Sequence, residues 1–538
     1  MKIGIYLGYG PNTLMHKEGL GRYTAVLLKG FIERGHSITV AMPKWLAASF
    51  KLLLDEFEID SQNIDYIIEY HTPVAWEIYS HMHMKKKGGS GLKRKIMISS
   101  LKLSERIMNY IFSISNILLL LAVTVIILAI ALVLLPIGLI VCIVVGFVYG
   151  IFSIFIREKR KHQSVKNRMK KKIKNLLIDL TGTGVSLHSI VYQNMLVSVQ
   201  HRLVNRINTG NKKVDVWYSP SIFWPVFNHI NGKRIINVPD LVVMDYPMHW
   251  YESYGVIESS LRCEDTIING ESYITYCQYV KDNLLVKRYE KNEDSISVIH
   301  HMINDMSSYI KVNSEYKMTS KEKENYEKAF CRSLIGKMRN SICRVKEYTS
   351  TFDFANTKYI FYSSQARPHK NLMSLLKAYK YILKEKRIGI KLFLTGDIYQ
   401  IKELKEFVLE NGLQYDVLCF YSVPAQGLAA LYHEAELVVN PTLYEGGFPF
   451  TFGEGMSVGT PSLMSRIPQV EEMFAFSEDL ENCMFDPYDY RDMVAKILWG
   501  LSDPNRLYEM QLPLFRKMCE RGTAEYIGEY VRAFEKAL

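Results

Sequence analysis

Apolar and polar positions along the chain fall into three regimes. Near the start, short apolar runs at residues 2–7, 37–42 and 64–70 read as β-strands, and the 3.6-residue pattern over 21–34 reads as an amphipathic helix. The same strand rhythm returns at 214–218, 235–238, 273–277 and 296–300. A polar stretch over 304–352 follows, and a second series of strands is expected at 359–362, 391–395, 417–420, 437–440 and 462–464, alternating with helical segments such as 371–385. Strands that alternate with helices predict two parallel, doubly wound α/β sheets.

The third regime lies between the two halves of the first series. Residues 111–156 run for 46 positions without one charge, which as a single helix would be about 69 Å long, whereas a bilayer core is about 30 Å. Pro136-Ile137-Gly138 divides the run into 117–135 and 139–156, each long enough to span. A buried helix pair in a large soluble core would not stay apolar on every face for this length. A membrane hairpin, or a deep re-entrant loop, is therefore expected to interrupt the first α/β domain. Both halves of that domain must lie on one side of the membrane to share a sheet.

The charge pattern supports this placement. The net charge is +11 over 538 residues, but eighteen Lys/Arg against two acids sit in 85–106 and 157–174, on the two flanks of the apolar run, so the remaining chain is acidic. That local basicity argues against a nucleic-acid partner and, by the positive-inside rule, puts both flanks and the two α/β domains on the cytoplasmic side of the membrane, against anionic lipids. Eight scattered cysteines with no CxxC pair imply a reducing compartment and no zinc site. The apolar stretch of residues 2–7 is too short for a signal-peptide core.

Three segments carry candidate chemistry. Glu18-Gly19-Leu20-Gly21-Arg22-Tyr23 lies between the first strand and the first helix; its glycines allow close backbone approach and the helix start offers amides to an anion, although a tight turn would need the same residues. Ser363 to Asn371 reads Ser-Ser-Gln-Ala-Arg-Pro-His-Lys-Asn directly after a strand; Arg367 and Lys370 there suit a diphosphate, or are a solvated charge pair. The third starts Asn440-Pro441-Thr442-Leu443-Tyr444-Glu445-Gly446-Gly447-Phe448-Pro449 and continues through Glu454 to Pro461, a strand end, a Gly-rich loop and a helix expected to begin near Phe452. Its carboxylates suit ribose or sugar hydroxyls and its amides phosphate oxygens; two exposed loop acids are the plain alternative.

Taken together, these segments, with Val238-Pro239-Asp240-Leu241, Ile299-His300-His301 and Met484-Phe485-Asp486-Pro487, resemble family 4 of the retaining glycosyltransferases, and their wording is most similar to the bacterial mannosyltransferase-like subgroup. The resemblance implies a GT-B fold: two Rossmann-like domains facing a cleft, here with the hydrophobic helical hairpin inserted. Its expected layout is an N-terminal domain at 1–82 and 196–305, a membrane insertion at 83–195, a linker at 306–352, a nucleotide-sugar domain at 353–520 and a C-terminal helix at 521–538. It also implies roles. Glu454 would bind the ribose, Arg367 and Lys370 the diphosphate, and Glu445 the donor sugar as the catalytic residue. Gly446 and Gly447 would line the donor site, Gly19 and Gly21 would cover the phosphates, and Arg22 and Asp240 would contact the acceptor or sugar. No metal or cofactor is implied beyond a nucleotide-sugar co-substrate, with GDP-mannose favoured, and the acceptor would be a glycan or lipid-linked glycan in cell-surface polysaccharide biosynthesis. Three positions depart from the family pattern: eight residues rather than seven separate Glu445 from Glu454, Gln365 stands at the usual Arg, and Pro239 at the usual His. These departures favour, as a second reading, a catalytically weak scaffold of a membrane assembly complex.

Overall fold

A computed structural model describes residues 1–71 except 12 and 18, six helical residues at 118, 119, 121–123 and 125, and residues 187–246, 256–311, 318–342, 344–354 and 356–538. The expected hairpin at 111–156 and its basic flanks otherwise lie outside the described residues. Among those described, no helix is long and apolar enough to cross a membrane.

The chain divides into two compact units, one of residues 1–235 and 250–270 with Leu538, the other of 236–249 and 271–537. In the first, β1 (Lys2–Tyr6) lies between β2 (Ser37–Pro43) and β4 (Val216–Ser219), parallel to both, and β3 (Ile64–Glu69) pairs parallel with β2. The sheet has seven strands in the order β3-β2-β1-β4-β5-β6-β7, of which β6 (Ser272–Thr275), β7 (Ile296–Val298) and the last three residues of β5 (Lys233–Val238) are counted in the second unit. The helix Leu187–Thr209 packs its buried stripe of Met195, Val199, Leu203 and Ile207, four residues apart, and the Gln200 amide donates to the Gly8 carbonyl at 2.7 Å. This helix runs through residue 195, where the insertion was expected to end.

The second sheet contains β8 (Tyr359–Tyr362), β9 (Lys391–Leu394), β10 (Val417–Cys419), β11 (Leu437–Asn440), β12 (Ser462–Ser465) and the short β13 (Met484–Phe485), all parallel, in the order β10-β9-β8-β11-β12-β13. Both faces are buried, and the period-2 alternation assigns each side chain to one of them. Ile360 and Tyr362 join a core with the helices Leu372–Lys380 and Tyr490–Ser502, whereas Tyr359 and Phe361 join one with Cys331, Ile335 and Ala430.

That second core revises one expectation. The polar stretch 306–352 contains the helix Ser320–Lys337, started by a capping box in which Thr319 and Glu322 satisfy each other's amides. It buries Cys331, Ile335 and Met338 against the sheet, pairs Arg332 with Glu434 at 2.8 Å, and lays Ile342 beside Phe420. A stretch so polar on average still forms part of the second unit because three or four apolar residues at helical spacing suffice to seat one face.

The helix expected from residue 21 begins at Gly19, so Gly19 and Gly21 lie in its first turn rather than in a loop. A side chain at Gly21 would put its Cβ 2.1 Å from the Met15 carbonyl oxygen, while one at Gly19 would meet nothing within 4 Å. Gly21→Ala should therefore cost about 1–3 kcal/mol through forced backbone displacement, and Gly19→Ala should be neutral or stabilising by up to about 1 kcal/mol from helix propensity. Thermal melts of the two variants check this; equal melting points would show that the Met15 contact does not constrain the turn.

Candidate functional site

The order of the second sheet reverses direction between β8 and β11, so the loops leaving their C-terminal ends diverge from neighbouring strands and open a crevice between them. Both loops are held. After β8, the Ser364 amide donates to Thr395 Oγ1 at 2.9 Å, and Gly396 admits the loop because a Cβ there would lie 2.7 Å from the Ala366 nitrogen and the Ser364 oxygen. Arg367 is extended, Pro368–Lys370 makes one 3-10 turn, and Asn371 takes a left-handed conformation at φ 53° with its amide donating to the Pro487 carbonyl at 2.7 Å. The His369 carbonyl accepts from the Leu443 amide at 2.8 Å and from Thr442 Oγ1 at 3.3 Å, which joins the loop after β8 to the loop after β11. This bracing brings the Lys370 ammonium onto the Glu445 carboxylate, with side chains 16% and 20% exposed.

Immediately after Glu445, Gly446 and Gly447 make close approaches that no side chain would permit. A Cβ at 446 would be 2.2 Å from the Pro239 carbonyl oxygen, and one at 447 would be 2.9 Å from Tyr276 Cβ and 3.0 Å from His301 Cδ2. Pro239, which stands where the family pattern has His, thus presents its backbone to the loop. The next residue, Asp240, is half-buried; desolvation pushes its carboxyl above the ordinary range, the Val242 amide opposes this, the nearby Glu445 adds to it, and Lys370 and Arg367 pull it back. Asp240, Arg367, Lys370, Glu445 and Gly446 therefore form one cluster.

Glu454 occupies a different setting. It sits within the helix Phe450–Ser457 and is 9% exposed, with one oxygen accepting from Tyr432 Oη at 2.6 Å and the other from the Asn304 amide at 2.8 Å. Burial raises its pKa and these two hydrogen bonds lower it. Tyr432 also lies beside Ser363, so Glu454 connects to the end of β8 through a buried tyrosine. In the first unit, Arg22 donates through Nε to the His16 carbonyl at 3.0 Å and through Nη2 to Glu56 at 3.0 Å.

Sequence reasoning did not single out the ring of His301, packed at a tilt 3.9 Å from Tyr276 and 4.7 Å from Phe450 between ring centroids, where burial first, then His300 and Arg521, lowers its pKa to about 3 and keeps it neutral. Nor did it find the contribution of Glu472, which accepts from the Gln278 amide at 2.8 Å and pairs with His300 at 2.7 Å. The paired His300-His301 was the available signal. Among the described residues no group of three or more His, Cys, Asp or Glu is placed to hold a metal ion.

No curated protein matches the chain. Among solved structures, HepE from Anabaena with UDP and glucose is 11% identical over 100% of both chains with a TM-score of 0.52. A TarM variant from S. aureus, with fondaparinux, α-GlcNAc-glycerol and UDP, is 10% identical over 99% of both chains with a TM-score of 0.51. The N-terminal domain of Candida albicans trehalose-6-phosphate phosphatase is 10% identical over 100% of this chain and 96% of that one with a TM-score of 0.54. At such identities the likeness concerns the fold, and it agrees with the two Rossmann-like sheets of a GT-B protein. Residues 349–512, which include Arg367, Lys370, Glu445 and Glu454, match the family model described as glycosyl transferases group 1.

Proposed function

We propose that the chain is a retaining glycosyltransferase that moves a hexose from a nucleoside-diphosphate sugar to a glycan or lipid-linked acceptor. The observation that carries this reading is the Lys370–Glu445 pair at the sheet's switch point, with Arg367 and Asp240 in the same cluster and two glycines giving backbone access. Breaking the bond between the sugar and the diphosphate builds negative charge on the leaving phosphate. Arg367 and Lys370 offset that charge without a metal ion, and Lys370 turning toward the diphosphate releases the Glu445 carboxylate to face the sugar. Glu454, oriented by Tyr432 and Asn304, has the chemistry to accept from ribose hydroxyls after exchanging one of those partners. HepE and TarM were solved with UDP, whereas the motif wording of this chain favours GDP-mannose. The apolar run and its basic flanks support action at the cytoplasmic face of a membrane, in cell-surface polysaccharide biosynthesis.

A donor screen with detergent-solubilised protein tests the activity. Glu445→Ala should lower kcat by about 100-fold or more with little change in donor KM, and Glu454→Ala should mainly raise donor KM. Turnover should persist in a metal chelator. Wild-type rates in both variants, or activity abolished by chelation and restored by magnesium, would remove the proposed mechanism.

Asp240 gives a pH-dependent expectation. Its folded carboxyl titrates above the unfolded value, so the folded state holds the proton more tightly and wild-type stability falls as pH rises through that window. Asp240→Asn should melt at the same or a higher temperature than wild type at neutral pH, lose that advantage in acid, and transfer sugar more slowly, as expected where a strained charge is kept for function. Melting curves across pH read this; a variant destabilised more at neutral pH than in acid would show that the charge is stabilising.

Membrane attachment is separable from catalysis. Replacing residues 85–174 with a short flexible linker should yield a more soluble protein that still binds nucleoside diphosphate, with transfer to a lipid-linked acceptor reduced through lost proximity. Protease cleavage of inverted and right-side-out vesicles supplies the topology, with both basic flanks expected to be cut from the cytoplasmic side only.

A further inference from the structure

The aromatic side chains beside the Lys370–Glu445 pair have no part in the chemistry described so far. Tyr488 is the most exposed of them, with 72% of its surface accessible. It is nevertheless held in place: its amide donates to Asp486 Oδ1 at 2.8 Å, the preceding Pro487 carbonyl accepts from Asn371, and its hydroxyl lies 3.3 Å from that of Tyr246. Tyr246 in turn donates to the Leu443 carbonyl at 2.9 Å, and its ring packs edge-on against Tyr444 with centroids 5.9 Å apart. Tyr444 is fixed by accepting from the Leu241 amide at 3.2 Å. Tyr488 is thus tied to a residue adjacent to Lys370, and Tyr246 to one two positions before Glu445.

An exposed aromatic ring fixed by its backbone and hydroxyl has already lost the freedom that binding would otherwise remove. A flat apolar face with hydroxyls at its edge, next to carboxylates and a cation, matches the surface of a pyranose, whose C–H groups pack on a ring while its hydroxyls reach charged groups. A nucleobase would also stack, but it would not need Glu445 and Asp240 alongside.

We infer that Tyr488, braced by Tyr246, is a stacking wall for a pyranose ring held at the Lys370–Glu445 site. This rests on the glycosyltransferase reading and adds a residue that sets the preference for the sugar. The ring could belong to the acceptor or to the donor.

The test uses the full chain in detergent and two probes: methyl α-D-mannopyranoside with GDP present, and GDP-mannose against GDP, each repeated with methyl α-D-glucopyranoside, UDP and UDP-glucose. Saturation-transfer NMR should carry magnetisation from aromatic protons to the C–H face of the sugar. In Tyr488→Ala the affinity for the stacked sugar should fall by about 3- to 10-fold, with Tyr488→Trp retaining it and Tyr488→Phe intermediate. A loss confined to the methyl glycosides identifies an acceptor ring, and one confined to the sugar-dependent part of GDP-mannose or UDP-glucose binding identifies the donor ring. Equal sugar affinity in Tyr488→Ala and wild type overturns the inference, as does the absence of transfer to either class of probe in wild type. Thermal stabilisation by GDP or UDP separates the two readings: if wild type shows none, the glycosyltransferase reading fails first, and if Tyr488→Ala loses it, the ring serves the nucleotide instead.

Discussion

Everything at the site depends on β8 and β11 being neighbours in the sheet although 74 residues separate their closest ends. In a parallel sheet a crossover leaves each strand at its C-terminal end, and adjacent strands whose crossovers depart in opposite directions leave a gap that neither connection fills. Lys370 and Glu445 come from the two connections at that gap. Their meeting is enforced by backbone, because the His369 carbonyl takes two donors from residues 442 and 443. The ion pair is the result of this bracing. At 16% and 20% exposure it is shielded enough for the attraction to exceed that of a surface pair, yet remains reachable.

The same bracing keeps charges where burial penalises them. Asp240 accepts from the Val242 amide at 3.3 Å and faces Glu445, a like charge; Arg367 and Lys370 are what make the ionised state tolerable. Glu454 is handled differently, with both oxygens satisfied by neutral donors inside a helix. A loop glutamate paired to a lysine can exchange partners when an anion enters. A helix glutamate held by Tyr432 and Asn304 is oriented in advance and has to give up a hydrogen bond to gain another. The two glutamates of the motif are therefore unequal in readiness, which their spacing in sequence does not reveal.

How much could be read from residue order varies with the kind of signal. Strands such as Tyr359–Tyr362 and Leu437–Asn440 were legible to the residue because burial on both faces makes them continuous apolar runs bounded by polar loops. β13, two residues long, was too short to carry a pattern and was met only as the segment beginning Met484. The first turn of the first helix was misplaced by two residues because Gly19 and Gly21 are punctuation in sequence, whereas here the requirement at Gly21 comes from the Met15 carbonyl. At the site, Arg367, Lys370 and Glu445 were legible because the types and order of residues are specific. His301, Tyr246 and Tyr488 were not, because an aromatic ring acquires its role only from what tertiary packing sets beside it.

The first sheet places a further constraint on the stretch between β3 and the helix Leu187–Thr209. The chain leaves β3 at Glu69 and returns in a helix whose Gln200 is hydrogen-bonded to Gly8, next to β1, after which β4 pairs with β1 on the side opposite β2. Both ends of the intervening residues therefore belong to one compact unit. A sheet cannot be divided by a bilayer, since its strand edges would leave unpaired amides in hydrocarbon. Any crossings within the stretch must then be even in number, and an apolar run of 46 residues with a Pro-Ile-Gly break near its middle has the length for two. Joining the ends of so long an excursion costs little more than joining the ends of one half as long, about 0.6 kcal/mol per doubling. A large insertion at this point is therefore thermodynamically compatible with the α/β unit on either side of it, and the residues that give that unit its sheet need not change to accommodate it.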